Sequence, residues 1–206
     1  MSYDYHGGWN NFVENQANIY ADPADRETAS MALPTLGFDW SYHYYRGKIQ
    51  SEKILMGVPY YTRGWTNVQG GTNGLHGSSS TPAVGDENIW HDLDANGNEV
   101  AAGANPLWHV LNLMNQDSNY QKYWDSVGNV PYVWNSVKKT FLTCEDEQSI
   151  QERIKVVERD NLGGVLIGVM HGDYDYDAAN DEYVVSDTLT TMLHDQFEAM
   201  GPAQIT

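Results

Sequence analysis

Lys53-Ile-Leu-Met-Gly-Val-Pro-Tyr-Tyr61 is the stretch that decides the fold class. It is an unbroken apolar run with polar residues on either side. A strand with one wet face alternates apolar and polar positions; a strand covered on both faces does not. The run therefore reads as a strand of a parallel sheet, buried on both sides. Val165-Leu-Ile-Gly-Val-Met170, introduced by Gly163 and Gly164, repeats the pattern. Helical periodicity surrounds both. Phe38, Tyr42 and Tyr45 share one side of a segment that Gly47 closes. Ile150, Ile154 and Val157 line one face of a helix over residues 146 to 160, with Thr143 as its N-cap. Leu189, Met192, Leu193 and Phe197 line a final helix that Ser186 can cap. Met1-Ser-Tyr-Asp-Tyr5 is strand-like and ends at Gly7 and Gly8. Strands alternating with helices predict α/β architecture built from β/α units.

Residues 10 to 36 are polar and irregular, punctuated by Pro23 and Pro34. Residues 66 to 133 are rich in Gly, Ser, Thr, Asn and Asp, with Trp90, Trp108, Leu107, Leu111 and Leu113 enough for a small core. Within them Ile89 to Val100 reads as a hairpin turning at Asn96-Gly97. This stretch is expected to be an inserted α+β subdomain. It divides the chain into 1–65, 66–133 and 134–206.

The 206 residues suffice for one domain, but a closed eight-fold β/α barrel typically takes about 250. The charge of −17, from 28 acidic and 11 basic residues, disfavours nucleic acid and anionic membranes as partners. No apolar run reaches the length of a membrane span, and no signal peptide is recognisable. Cys144 is the one cysteine, so no intrachain disulfide forms, and an inert thiol is expected. Aromatic residues make up 12%. They are core material first, but their flat faces also suit the C–H faces of sugar rings.

Two acidic patterns bear on metals. Asp92-x-Asp94-x-Asn96-Gly97 begins like an EF-hand loop, but its twelfth position is Gly103 instead of Glu. A hairpin turn is the better reading. Asp173-x-Asp175-x-Asp177 reads as a solvated acidic loop. The seven His show no zinc spacing. Neither metal nor organic cofactor is expected.

Four motifs, in order, carry a family resemblance. Met1-Ser-Tyr3-Asp4 resembles the Met-x-Tyr-Asp sixth strand of family 18 chitinases. Gly57-Val-Pro-Tyr-Tyr61-Thr-Arg63-Gly64-Trp65 resembles the seventh strand. Pro131-Tyr132-Val-Trp134, followed by Glu145-Asp146-Glu147-x-Ser149, resembles the approach to the last barrel helix. Leu162-Gly163-Gly164-Val165, ending at Gly172-Asp173, resembles the eighth strand. The resemblance implies a partial (β/α)8 TIM barrel, strands six to eight, with the α+β insertion between seven and eight. It also implies a role for each matching residue. Tyr3 donates its hydroxyl to a substrate acetamide and Asp4 binds sugar hydroxyls, as the catalytic pair. Met1, Trp9, Tyr61 and Arg63 bind substrate, with Trp9 as an aromatic platform. The implied reaction is hydrolysis of β-1,4 N-acetylglucosamine polymers, in which the substrate's own N-acetyl oxygen attacks the anomeric carbon.

Without the resemblance, Tyr3 and Asp4 read as a hydrogen-bonded pair closing a strand end, Tyr61 and Arg63 as a stacking pair, and Trp9 as core. Two features depart from the family. The fourth-strand Asp-x-x-Asp-x-Asp-x-Glu run that carries the acid is absent from these residues, and Gly168 stands where the eighth strand normally carries Trp. The chain alone is therefore expected to be inactive. A catalytically inactive chitinase-like carbohydrate-binding protein is the alternative, and a structural half-barrel that depends on a partner is a third. Chitin or chito-oligosaccharides and the missing N-terminal half of the barrel are the expected partners. The parent is expected to be secreted, because chitin is an insoluble extracellular polymer.

Overall fold

The computed structural model describes residues 1–31 and 35–204, so Pro34 lies outside it. The chain runs through α1 (Arg26–Met31), α2 (Phe38–Tyr45), β1 (Leu55–Pro59), β2 (Gly64–Thr66), β3 (Thr81–Pro82) and α3 (Leu107–Gln116). It continues through β4 (Tyr120–Asp125), β5 (Val130–Asn135), β6 (Thr140–Thr143), α4 (Glu147–Arg159) and β7 (Gly164–Gly168). It closes with β8 (Tyr174–Asp177), β9 (Glu182–Val185) and α5 (Thr188–Met200).

The two apolar runs, β1 and β7, lie side by side in parallel, from Leu55 opposite Gly164 to Pro59 opposite Gly168. Parallel partners need a long crossover. Here it contains a five-stranded antiparallel sheet, ordered β3-β2-β6-β5-β4, and helices α3 and α4. Met56 and Val58 of β1 join a core with Phe38 and Tyr42 of α2, Ile150 and Ile154 of α4, and Leu189 of α5. The opposite face differs from the expectation of two-sided burial: Leu55 and Leu166 remain 54% and 46% exposed. The described helices line only one side of the pair, so the apolar residues of the other side meet water.

The five-stranded sheet is covered on both faces. Tyr132, Trp134, Phe141 and Trp65 face a small second core with Val13, Val68 and Leu75. Val130, Val133 and Leu142 face the main core. The expected subdomain boundaries do not follow this sheet. It begins at Gly64, its strand β5 straddles residue 133, and it ends at Thr143. The apolar stretches of β5 and β6 look like barrel elements in composition. Their register instead pairs them antiparallel with β4 and β2.

Local expectations met three further corrections. Met1–Tyr5 runs alongside β1, close to Gly57, but belongs to no ladder. Thr143 is a β6 residue. The cap of α4 is Asp146, whose carboxylate accepts the Ser149 N–H at 3.0 Å while the Ser149 hydroxyl accepts the Asp146 N–H. Ser186 does not cap α5. Buried Asp173 reaches across to accept the Leu189 and Thr190 N–H groups at 2.9 and 2.8 Å, so this member of the acidic loop is not solvated. The Asn96-Gly97 turn is present. Asp94 accepts the Asn96 and Asn98 N–H groups, chiefly those of Asn98, and they hold its carboxyl below the usual range. Among the described residues no three His, Cys, Asp or Glu converge on a metal position.

Two buried groups lie where β6 leads into α4. Cys144 is enclosed; burial, then the charge of Asp146, pushes its thiol well above the ordinary range. Arg153 is fully buried. It pairs with buried Glu145, donates to the Ala17 carbonyl at 2.6 Å and lies over the Phe38 ring.

Two outcomes follow. Arg153→Met strands the Glu145 charge in the core and is expected to cost about 3–5 kcal/mol, read from urea denaturation. A loss under 1 kcal/mol would show that the pair is dispensable. Second, Leu55 and Leu166 with their open strand edges favour self-association, which the acidic surface opposes until salt screens it. Sedimentation velocity is expected to show larger species as salt rises, suppressed by Leu166→Lys. A salt-independent monomer would contradict this.

Candidate active site

In parallel α/β sheets, ligands gather at the carboxyl ends of the strands. Tyr61 and Arg63 follow the carboxyl end of β1, and Gly168 is the last residue of β7. Tyr3 lies across both strands. A methyl group on Gly57 would stand 2.6 Å from its ring, and one on Gly168 would stand 3.1 Å from its hydroxyl. The two glycines therefore clear the bed on which the phenol rests. The Tyr61 ring meets Tyr3 edge to face, 6.0 Å between centroids.

Asp4 adopts φ +57°, a left-handed conformation that Asp tolerates better than most residues. Its two carboxylate oxygens accept from Arg63 Nε at 2.9 Å and Nη2 at 3.1 Å. This two-point pairing fixes both orientation and charge. Strand β6 holds the Arg63 backbone: its N–H donates to the Thr143 hydroxyl at 2.8 Å and its carbonyl accepts the Thr143 N–H at 2.9 Å. The guanidinium lies 5.3 Å from the Tyr61 ring centre and 5.6 Å from that of Trp9. Trp9 is 59% exposed, which rules out a core role.

Burial works against the Arg63 charge, but the hydrogen bonds and charge of Asp4 outweigh it and raise its pKa. Burial, then the negative charge of Asp4, pushes the Tyr61 phenol far above the ordinary range, so it remains a proton-bearing donor. Asp4, tied to Arg63, acts as an acceptor and not as a proton donor. Arg63 takes two of roughly four lone-pair positions on this carboxylate, which leaves acceptor capacity for hydroxyl groups. The cluster thus offers phenol donors, a fixed carboxylate and an open indole face. These are the means of holding a neutral, polyhydroxylated molecule.

Tyr3, Asp4, Trp9, Tyr61 and Arg63 come together. Met1 does not: it is 92% exposed and lines a separate cavity with Trp40 and Tyr44. Sequence reasoning missed the residues that hold the cluster. Buried Thr62 donates to the Gly103 carbonyl at 2.6 Å and accepts the Asn105 backbone N–H at 3.1 Å. The Gln16 amide donates to the Tyr61 carbonyl at 2.7 Å. Trp90 was read only as subdomain core, yet with Trp9 and Arg63 it lines a cavity of about 340 Å³. No local pattern marks Thr62, Asn105 or Gln16, because each acts on a partner distant in sequence.

Comparison with known proteins converges on one family. The profile described as Glycosyl hydrolases family 18 matches residues 1–173. Chitinase B of Serratia marcescens is 28% identical over 89% of this chain and 42% of its own length. Chitinase A1 of Niallia circulans is 26% identical over 84% of this chain and 23% of its own. The crystal structure of a family GH18 chitinase from Chromobacterium violaceum superposes with a TM-score of 0.90 at 39% identity. That match covers all of this chain and 37% of the other. The chain thus spans less than half the length of these relatives.

The glycine bed gives a direct test. Gly57→Ala places a methyl group within the Tyr3 ring's contact distance and is expected to displace that ring, with a stability loss of about 1–3 kcal/mol from overpacking. Urea denaturation and the near-ultraviolet tyrosine signal measure both effects. An unchanged midpoint and spectrum would mean that Tyr3 does not rest on β1.

Proposed function

The chain belongs to glycosyl hydrolases family 18, and from that premise we propose that it forms the sixth-to-eighth-strand portion of a chitinase barrel. On this reading the sheet between β1 and β7 belongs to the α+β insertion and walls a substrate cleft. The substrate is a β-1,4 polymer of N-acetylglucosamine. The observation that carries the proposal is the convergence of Tyr3, Tyr61 and the Asp4–Arg63 pair beneath the open face of Trp9.

The residues divide the work as follows. The Tyr3 hydroxyl donates to the acetamide oxygen and orients it toward the anomeric carbon. That oxygen forms the new bond to the anomeric carbon as the glycosidic bond breaks. A carboxylic acid protonates the departing oxygen, and water later opens the resulting ring. Asp4 accepts sugar hydroxyls while Arg63 keeps it ionised, and Trp9 stacks on a neighbouring ring. The acid is the one role that no residue of this cluster fills. In the family it belongs to an Asp-x-x-Asp-x-Asp-x-Glu run, which these residues do not contain. We therefore assign catalysis to the longer barrel and sugar binding to this chain. The missing N-terminal half is its natural partner, and the half-exposed Leu55 and Leu166 support a covering layer there. Insoluble chitin places the parent enzyme outside the cell.

A second reading has one observation in its favour. Gly168 presents no side chain beside the Tyr3 hydroxyl, so the strand end offers no aromatic floor. A sugar-binding, catalytically inactive chitinase-like protein would tolerate that more readily than an enzyme.

Calorimetric titration separates these readings from the structural one. Chitotetraose is expected to bind this chain, and cellotetraose, which lacks acetamides, more weakly. Asp4→Ala is expected to weaken chitotetraose by roughly tenfold or more, the order of a hydrogen bond to a charged group. Absence of binding, or equal binding of both sugars, would overturn the assignment. The chain alone is expected not to hydrolyse a fluorogenic chitobioside; turnover that Tyr3→Phe abolishes would show that the acid lies within it. Turnover by a longer protein carrying the acidic run would favour the enzyme over the inactive relative.

A further inference from the structure

The cavity against Trp9 and Arg63 is bounded on its far side by Trp90. Beyond that indole lies a second cavity of about 460 Å³, lined by Trp90, Trp108, Val169, His171 and Val185. Trp90 is common to both. The second cavity sits just past the carboxyl end of β7, where Gly168 brings no side chain to the surface beside Tyr3. Aromatic surface is therefore missing from the strand end and present on the adjoining wall.

That wall is fixed to the site strand. Asn105 is fully buried, and its carbonyl accepts the Thr62 N–H at 2.9 Å. Its side-chain amide donates to Thr62 Oγ1 at 3.1 Å and to the Glu87 carbonyl at 2.8 Å. Its side-chain oxygen accepts the Ile89 N–H at 3.0 Å. Trp90 follows Ile89 directly, and its own N–H donates to the Ala104 carbonyl. Pro106 bridges to Tyr61, and Trp108 stands two residues further along. One buried side chain thus locks both indoles to the segment Tyr61–Arg63. The Trp108 Nε1–H donates to the His171 carbonyl at 3.1 Å, which satisfies its polar edge and fixes the ring.

We propose that the Trp90–Trp108 cavity is a further saccharide subsite, continuous with the Tyr3–Asp4–Arg63 site across Trp90, which takes the C–H face of an additional ring of the same oligosaccharide. This rests on the chitinase-type reading above. The chemistry selects the ligand. Two indoles and two valines offer apolar faces and few polar groups, so a sugar ring lies flat with its hydroxyls turned edgewise to water. No Lys or Arg lines this cavity, and the chain carries −17 overall. An anionic ligand therefore gains nothing there.

The test is a titration of the chain with N-acetylglucosamine oligomers of increasing length, from the dimer to the hexamer, followed by calorimetry. Affinity is expected to rise with length. Trp108→Leu preserves apolar volume without an aromatic face, and is expected to remove that gain, weakening the longest oligomer by roughly tenfold while leaving the dimer unchanged. Trp108→Phe is expected to retain most of it. Trp90→Leu, at the wall common to both cavities, is expected to weaken short and long oligomers. Equal weakening of dimer and hexamer by Trp108→Leu, or no effect on either, would overturn the subsite while leaving the main site intact. If no oligomer binds the unaltered chain, the chitinase-type reading fails and the subsite with it. Preference for an alkyl or aryl glycoside over the longer oligomer would mark the cavity as an aglycone pocket and refute the proposal.

Discussion

One guanidinium organises the carboxyl end of the central strands. Arg63 is the point at which β1, β6, the Tyr3–Asp4 segment and Trp9 meet. Its backbone is hydrogen-bonded in both directions to Thr143, and its side chain closes two bonds on Asp4. The rings of Tyr61 and Trp9 flank the charge. Each contact needs the others. A half-buried cation costs desolvation unless a carboxylate answers it, and a left-handed Asp4 has no reason to persist without a partner to face. Lysine could supply the charge but not the planar two-point fork. The arrangement thus uses one ion pair to fix the position of an aromatic site.

Much of this was legible in the sequence, and the reason lies in how local each signal is. The unbroken apolar runs at 53–61 and 165–170 marked β1 and β7, because burial imposes its pattern residue by residue. The spacing of Ile150, Ile154 and Val157 marked α4 for the same reason. The motifs around Tyr3, Asp4, Trp9, Tyr61 and Arg63 named five residues that the fold brings together. Caps were less legible. Thr143 and Ser186 carry suitable hydroxyls, but Asp146 and the distant Asp173 take the N–H groups. Met1 failed because nothing in the described chain packs over it. Asn105 gave no signal at all, since its importance comes from reaching Thr62, Glu87 and Ile89 at once.

The two sheets also explain each other. The antiparallel sheet hides both faces, one against Val13, Val68 and Leu75 and the other against the main core. The parallel pair hides only one. Apolar area scales with the free energy gained on burial, so the antiparallel part realises its full stabilisation within these residues. The parallel pair, which carries the site, does not. Stability and site geometry are therefore concentrated in different layers of the same chain, joined through Arg63 and Thr143.

Cys144 sits at that junction, as the chain leaves β6 for α4. It is the sole thiol of the sequence, and burial suppresses its ionisation. A thiol reacts as its thiolate, so an alkylating reagent cannot modify it until β6 and α4 part. The rate of alkylation under native conditions then becomes a clock for the opening of this region, in the way that amide exchange reports local unfolding. A single intrinsic cysteine makes the chain its own labelled probe, and a saccharide that clamps the Arg63 region would slow that clock without touching the sulfur.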